Sequence, residues 1–298
     1  MPITDHQREA RKKYIGSSDS AAICGVSPFS NPGRVYLEKT ADLEEADETE
    51  AMERGNYVEP SILTWFADKF GKRILRNQYR VGDNGIQCAN LDALVLEDEL
   101  MAMGGKHATV KESPVAVVEA KSGSDKDGWW GAVPDGIPDH VRVQAQHQLI
   151  VTDLQLAYIP ALIVEFGRPV FRLYEHPWDK DLADAIMSAE FNFWKNHVKA
   201  GVPPPDAPPL DVLKRIKRIP NKSVLVADEL VVEWRLRETE LSTAKKIAED
   251  AKAAVIAALG DAEEGRSNKG TLTFMEQNRK GYEVKPSTFR VLKFKEKA

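Results

Sequence analysis

The chain has 298 residues, 42% of them hydrophobic and 29% charged, with a formal net charge of −5. That is an ordinary soluble composition, long enough for one large domain or a domain with an appendage, and too acidic overall for a uniformly basic nucleic-acid coat. No apolar run approaches the roughly 20 residues of a bilayer span, the N-terminus lacks a secretory h-region, and two cysteines exclude a disulfide scaffold or a four-cysteine metal site, so a reducing cytoplasm is expected.

The charge is uneven along the chain, roughly −10 over residues 1–210 and roughly +5 over 211–298. In chain order, residues 51–70 read as a helix that carries Glu59, with Pro60 marking a kink or a fresh first turn. Strands are predicted over 76–81, 87–96 and 115–121, then a helix over 139–151. Two more strands follow over 156–165 and 170–175, and a helix over 181–199, where Leu182, Ile186, Ala189 and Phe193 recur at helical spacing. This order defines an α+β (α/β) domain with a central mixed β-sheet flanked by helices.

Five prolines between Gly201 and Pro209 read as an extended, semi-rigid linker. The expected division is a main domain over 1–205 and an appendage over 206–298. The appendage opens with Lys214, Arg215, Lys217 and Arg218. A long helix over 228–259 follows, with a heptad-like seam through Leu230, Trp234, Leu241, Ala244, Ala248, Ala251, Val255 and Ala258. Arg237 interrupts the seam, and Gly260 is placed to end the helix. The segments TLTFMEQ and YEVKPS around Asn278–Gly281 predict a β-hairpin.

The chemistry concentrates where an apolar strand ends in Val118-Glu119-Ala120-Lys121. Period two puts Glu119 and Lys121 on one face, and Asn90-Leu91-Asp92-Ala93 sets another carboxylate in an apolar strand upstream. Such a set is either a solvent-exposed ion pair or a compact site. Two carboxylates can ligate a hard divalent ion, and an ammonium beside them can orient a water for phosphodiester hydrolysis. Gln144 and Gln148 lie one helical turn apart, and a site role is expected for Gln144 only. His147 has no second histidine nearby and is expected to be packed or on the surface. Trp129 and Trp130 follow a polar loop and serve either as core or as a surface on which a DNA end stacks. Ser17 and Ser18 lack the G-x-S-x-G frame of a hydrolase nucleophile.

Five segments in order resemble the lambda-exonuclease / YqaJ-type phage recombinase family, within the PD-(D/E)xK nuclease superfamily and its restriction-endonuclease-like core. They are residues 15–23 (IGSSDSAAI), 55–60 (GNYVEP), 91–95 (LDALV), 118–121 (VEAK) and 143–149 (VQAQHQL), and the resemblance spans about residues 10–205. It implies Asp92, Glu119 and the Ala120 carbonyl as Mg2+ ligands, with Glu59 serving a second ion and Mn2+ able to substitute. It implies Lys121 as the residue that positions or activates water and Gln144 as its orienting partner. By offset, Arg11 and Ser18 would hold the DNA 5′-phosphate. The implied activity is 5′→3′ exonuclease digestion of linear double-stranded DNA, leaving a 3′ single strand for an annealing protein. The implied assembly is a homotrimer ring around DNA. Leu91 stands where the superfamily usually has proline. A superfamily endonuclease, and a DNA- or partner-binding protein with an inactive core, are the competing readings.

Overall fold

In the computed structural model the described residues are 12–47, 49–101, 109–124, 130–134 and 136–276. The predicted strands pair into one mixed sheet. Strands β1 (Arg73–Val81), β2 (Cys88–Met101) and β3 (Thr109–Val118) form an antiparallel meander, with Arg73 opposite Leu96 and Ala93 opposite Val118. Strand β3 then runs parallel to β5 (Leu156–Glu165), Val118 opposite Tyr158. The short β4 (Lys121–Ser124) runs parallel to the same strand, with Lys121 opposite Ala161. The register does not change between the two, so β3 and β4 are one line of chain interrupted at Glu119 and Ala120. Strand β6 (Arg168–Pro177) returns antiparallel to β5 through Phe166 and Gly167, both at positive φ.

Alternation along β5 turns Ala157, Ile159, Ala161 and Ile163, all fully buried, toward one face of the sheet. There they pack with Val141, Ala145 and Leu149 of α4 (Asp139–Thr152). The opposite face, with Ala93, Val95, Ala116 and Val118, is covered by Leu63 and Phe66 of α3 (Glu50–Phe70). Helix α3 starts where the Thr49 hydroxyl accepts the Met52 N–H (3.2 Å), and it ends at Gly71 in the left-handed region. It runs through Pro60 without a break, where the sequence suggests a kink or a new start. Pro60 lies on the exposed side, where losing one backbone hydrogen bond costs least.

Two short helices that the sequence reading does not contain precede α3: α1 (Ser17–Ile23) and α2 (Pro32–Thr40), the latter capped by Asn31. Helix α5 (Lys180–Phe193) closes the same side as α4, and its last predicted turn widens into a π-turn over Trp194–Lys199. The proline run lies along α2. Asn31 Nδ2 donates to the Ala207 carbonyl (2.8 Å), and Arg34 pairs with Asp211 of the short α6 (Leu210–Lys214). A Cβ on Gly33 would stand 2.2 Å from the Asp206 carbonyl oxygen, so the crossing requires glycine there.

The chain forms two compact units, residues 1–217 and 218–298. The second holds α7 (Asp228–Leu259), none of whose residues is buried, and a two-stranded hairpin of β7 (Glu264–Ser267) and β8 (Gly270–Thr273). This hairpin precedes the predicted one: Thr271–Thr273 pairs backward with Glu264–Gly265–Arg266. The predicted turn at 278–281, its return strand and the basic end at 290–297 lie outside the described residues. Among the described residues no helix is long and apolar enough to cross a membrane.

Candidate active site

The interruption between β3 and β4 builds the site. Glu119 keeps its place in the ladder through its N–H to the Tyr158 carbonyl (2.9 Å). The next N–H, on Ala120, leaves the ladder and donates to Asp92 Oδ2 (2.8 Å). Asp92 stands one step beyond the last β2–β3 pair, Ala93 with Val118, which sets it beside Glu119 across the strands. Burial and the neighbouring Glu119 carboxylate, with a smaller contribution from Glu59, push the Asp92 carboxyl well above the usual range. Lys121 and the Ala120 N–H oppose that rise.

Glu119 is 4% exposed, and both of its oxygens accept hydrogen bonds. Its Oε1 accepts from Lys121 Nζ (2.5 Å) and Gln144 Nε2 (2.5 Å), and its Oε2 accepts from Gln148 Nε2 (2.6 Å). Lys121 Nζ also donates to Gln144 Oε1 (2.9 Å), which closes a triangle of Glu119, Lys121 and Gln144. Burial disfavours the Lys121 charge, but Glu119 and Asp92 outweigh it and hold its pKa above the ordinary lysine value. Glu59, half-buried on α3, acts on both Asp92 and Lys121 through its charge.

The predicted residues Asp92, Glu119, Ala120, Lys121 and Gln144 therefore meet, with Glu59 within electrostatic reach. Ser18 is exposed on the first turn of α1, whereas Arg11 lies outside the described residues. Trp129 is likewise outside them. Trp130 is half-buried against the core, its ring 5.1 Å from that of Tyr174.

Gln148 is the residue that sequence reasoning missed. Its spacing of four from Gln144 put both on one helical face, yet only the fold shows that this face meets Glu119. His147, between them, faces the other way and is fully buried. Its Nδ1 lies 2.8 Å from Glu190 Oε1 and its Nε2 3.0 Å from the Cys88 carbonyl oxygen. Two acceptors on one ring favour the imidazolium. Burial works against that charge, but Glu190 and these bonds outweigh it and raise the pKa. Gln87 Nε2 donates to the other Glu190 oxygen (2.5 Å). Gln146 Oε1 accepts from His176 Nε2 (2.7 Å) and the Asp179 N–H (3.1 Å). These bonds tie α4 to β2, β6 and the start of α5, and so fix how far Gln144 and Gln148 reach.

The donor set fits a hard cation that keeps most of its water. It offers two adjacent carboxylates, a backbone carbonyl at Ala120, and the buried Gln148 Oε1, which has no hydrogen-bond partner among the described residues. Among the described residues no group of three or more His, Cys, Asp or Glu is placed to hold a metal, so a cation here would rely on two carboxylates, neutral oxygens and water.

A mixed sheet with helices on both faces, carrying Asp, Glu and Lys at a break in one strand, defines the class of this molecule as an α/β protein with a carboxylate–lysine site. Residues 7–155, half of the chain, match the YqaJ-like viral recombinase domain, and the chain belongs to that family. It is 28% identical over 206 residues to the uncharacterized protein YqaJ of Bacillus subtilis (strain 168), covering 67% of this chain and 57% of that protein. Among solved structures it is similar to an alkaline exonuclease from Laribacter hongkongensis, at 15% identity and a TM-score of 0.47. That match covers 67% of this chain and 94% of the other. A putative exonuclease from Eubacterium rectale is 15% identical with a TM-score of 0.42, covering 76% of this chain and 98% of the other.

Proposed function

We propose that this protein is a magnesium-dependent exonuclease that degrades linear double-stranded DNA from 5′ ends, leaving 3′ single strands for strand-annealing recombination. The observation that carries the reading is the triangle of Glu119, Lys121 and Gln144 beside Asp92, in a chain of the YqaJ-like recombinase family.

Asp92, Glu119 and the Ala120 carbonyl would hold Mg2+, with Glu59 toward a second ion and Mn2+ able to substitute. Bound there, the metal would neutralise charge on the scissile phosphate. Lys121, held by Glu119 and Gln144, orients the attacking water and adds positive charge where the phosphate gains negative charge. Gln148 anchors the far oxygen of Glu119 so that the carboxylate cannot rotate away. The water gives up one proton as its oxygen bonds to phosphorus, the P–O3′ bond breaks, and O3′ takes up one proton in return, so the step balances as addition of one water. Arg11 and Ser18 are proposed for the 5′-phosphate. A homotrimer ring closed around DNA and hand-over to a single-strand annealing protein in the cytoplasm complete the proposal.

The test uses full-length wild type and Lys121→Ala on linear 5′-phosphorylated duplex and on covalently closed plasmid, with Mg2+ and with chelator. Metal-dependent loss of linear DNA alone, abolished by the substitution, is the expected result. Cleavage of the closed circle would make it an endonuclease. Binding without cleavage of either would leave a DNA-binding protein.

A further inference from the structure

Helix α4 carries three residues at a spacing of four, His140, Gln144 and Gln148. The last two meet Glu119, and His140 continues the column outward by one turn. Its nearness to the site has an electrostatic signature. Burial lowers the His140 pKa first, the positive charge of Lys121 lowers it further, and Asp139 opposes them. His140 also lines a cavity of about 320 Å³ with Val26, Pro28, Ile137, Pro138 and Asp139.

The cavity wall is built rather than accidental. After α1 the chain turns at Gly25, with φ 74°, and the Val26 and Ser27 N–H groups both donate to the Ala21 carbonyl (3.0 and 3.1 Å). Pro28 and Pro138 stiffen the two rims, since proline has little backbone freedom to lose. Phe29, at the end of the loop, is 70% exposed and stands edge-on to His140, ring centroids 5.7 Å apart at 86°.

We propose that this cavity receives the base of the terminal nucleotide beside the scissile phosphate, with His140 in its wall and Phe29, next to the lining residue Pro28 and edge-on to His140, as a second aromatic group beside it. The inference rests on the nuclease reading of the neighbouring site and names the part of the substrate that the reading leaves unplaced. The lining chemistry selects a base over a phosphate. Four of the six lining residues are apolar, and the one carboxylate, Asp139, repels phosphate. A neutral imidazole and a phenyl ring offer the π-faces on which any base stacks. The volume lies at the small end of the range for ligand sites, which suits a single base and not a base pair.

The experiment compares full-length wild type, Phe29→Ala, His140→Ala and Phe29→Tyr on linear duplexes ending in a normal 5′ nucleotide or an abasic one. Wild type should cut the abasic end about tenfold more slowly, a loss typical of one stacked base. Phe29→Ala and His140→Ala should each show a loss of that order on the normal end and little further loss on the abasic end. Phe29→Tyr, which keeps an aromatic ring, should recover most of the normal-end rate that Phe29→Ala loses, with unchanged melting temperatures confirming that the variants fold. Equal rates for wild type and Phe29→Ala on the normal end would overturn the proposal, as would losses that multiply on the abasic end.

A second readout separates this failure from failure of the nuclease reading. In the Lys121→Ala background, a 5′-terminal 2-aminopurine should be quenched on binding, and the quench should fall when Phe29→Ala is added. If wild type cuts no DNA, the quench alone decides, and an unquenched base on bound DNA overturns the subsite.

Discussion

Helix α4 has 14 residues and buries seven of them, three of which are polar, whereas α7 has 32 residues and buries none. Both follow helical spacing in the sequence, so spacing alone does not distinguish them. The difference lies in what each helix is held by. Every buried polar residue of α4 has a named partner on another element: Gln146 with His176, His147 with Glu190, Gln148 with Glu119. Helix α7 is held by its own alanines and by ion pairs along its length, Arg237 with Glu233 and Glu240, and Arg235 with Glu238. The first kind of helix can aim a catalytic side chain, because its position is set from outside. The second can form anywhere and aims nothing by itself.

The largest expected effect strikes α4 through its buried ion pair. Glu190→Ala would leave the His147 imidazolium buried and unpaired, at a cost of about 3–5 kcal/mol, read as a lower urea midpoint at neutral pH. Next, Gln148→Ala would strand one oxygen of Glu119. The expected cost is about 1–3 kcal/mol in stability, with hydrolysis of linear duplex impaired beyond what the lower melting temperature explains. Equal activity at matched folded fraction would show that Gln148 only packs.

Among the described residues two buried histidines predict opposite pH responses. Burial lowers His176 to about 4, so the folded state excludes a proton that the unfolded chain binds below about 6.5. Its contribution is present above pH 6.5 and is lost as the pH falls toward 4. His147 is shifted upward, so its contribution is present below 6.5 and fades as the pH rises through its folded value. His176→Gln keeps a donor for Gln146 and should flatten the acid limb of melting temperature against pH while leaving the alkaline limb unchanged.

The smallest effect belongs to α7. Arg237→Ala removes two exposed, solvent-screened ion pairs and should leave the melting temperature almost unchanged. A larger loss would mean that the seam is covered in the assembled protein, which a mass measurement with and without the substitution would register. Salt sharpens the same contrast in function: the proposed DNA engagement should weaken steeply with ionic strength, while the metal binding proposed at Asp92 and Glu119 should change little.

Much of the first unit was legible because its strands and helices bury one face each, and burial imposes a period. Strand β5 and helix α7 run over the predicted residues, and helix α4 ends one residue past its predicted end. Helices α1 and α2 escaped because they are seven and nine residues long and hold too few turns to show a period. The predicted strand over 115–121 correctly paired Glu119 with Lys121. Its interruption was invisible, since it depends on where a main-chain N–H goes and not on which side chain follows. Gln148 was visible as a position and not as a contact. Phe29 and His140 were unreadable as a pair, because only the fold brings the loop after α1 to the start of α4.

The hydrogen bond from Ala120 to Asp92 has a consequence for how this protein is dissected by mutagenesis. Residue 120 contributes to the site through its peptide group, so a scan that trims side chains passes over it in silence and scores it as dispensable. A change that deletes the N–H and keeps the side chain, an amide-to-ester replacement at that link, would release Asp92 from its tether while every side chain stayed in place. The site is thus wired partly through the main chain, where among coded residues only proline would cut the link, so tolerance to other small residues at position 120 is no measure of how much that position does.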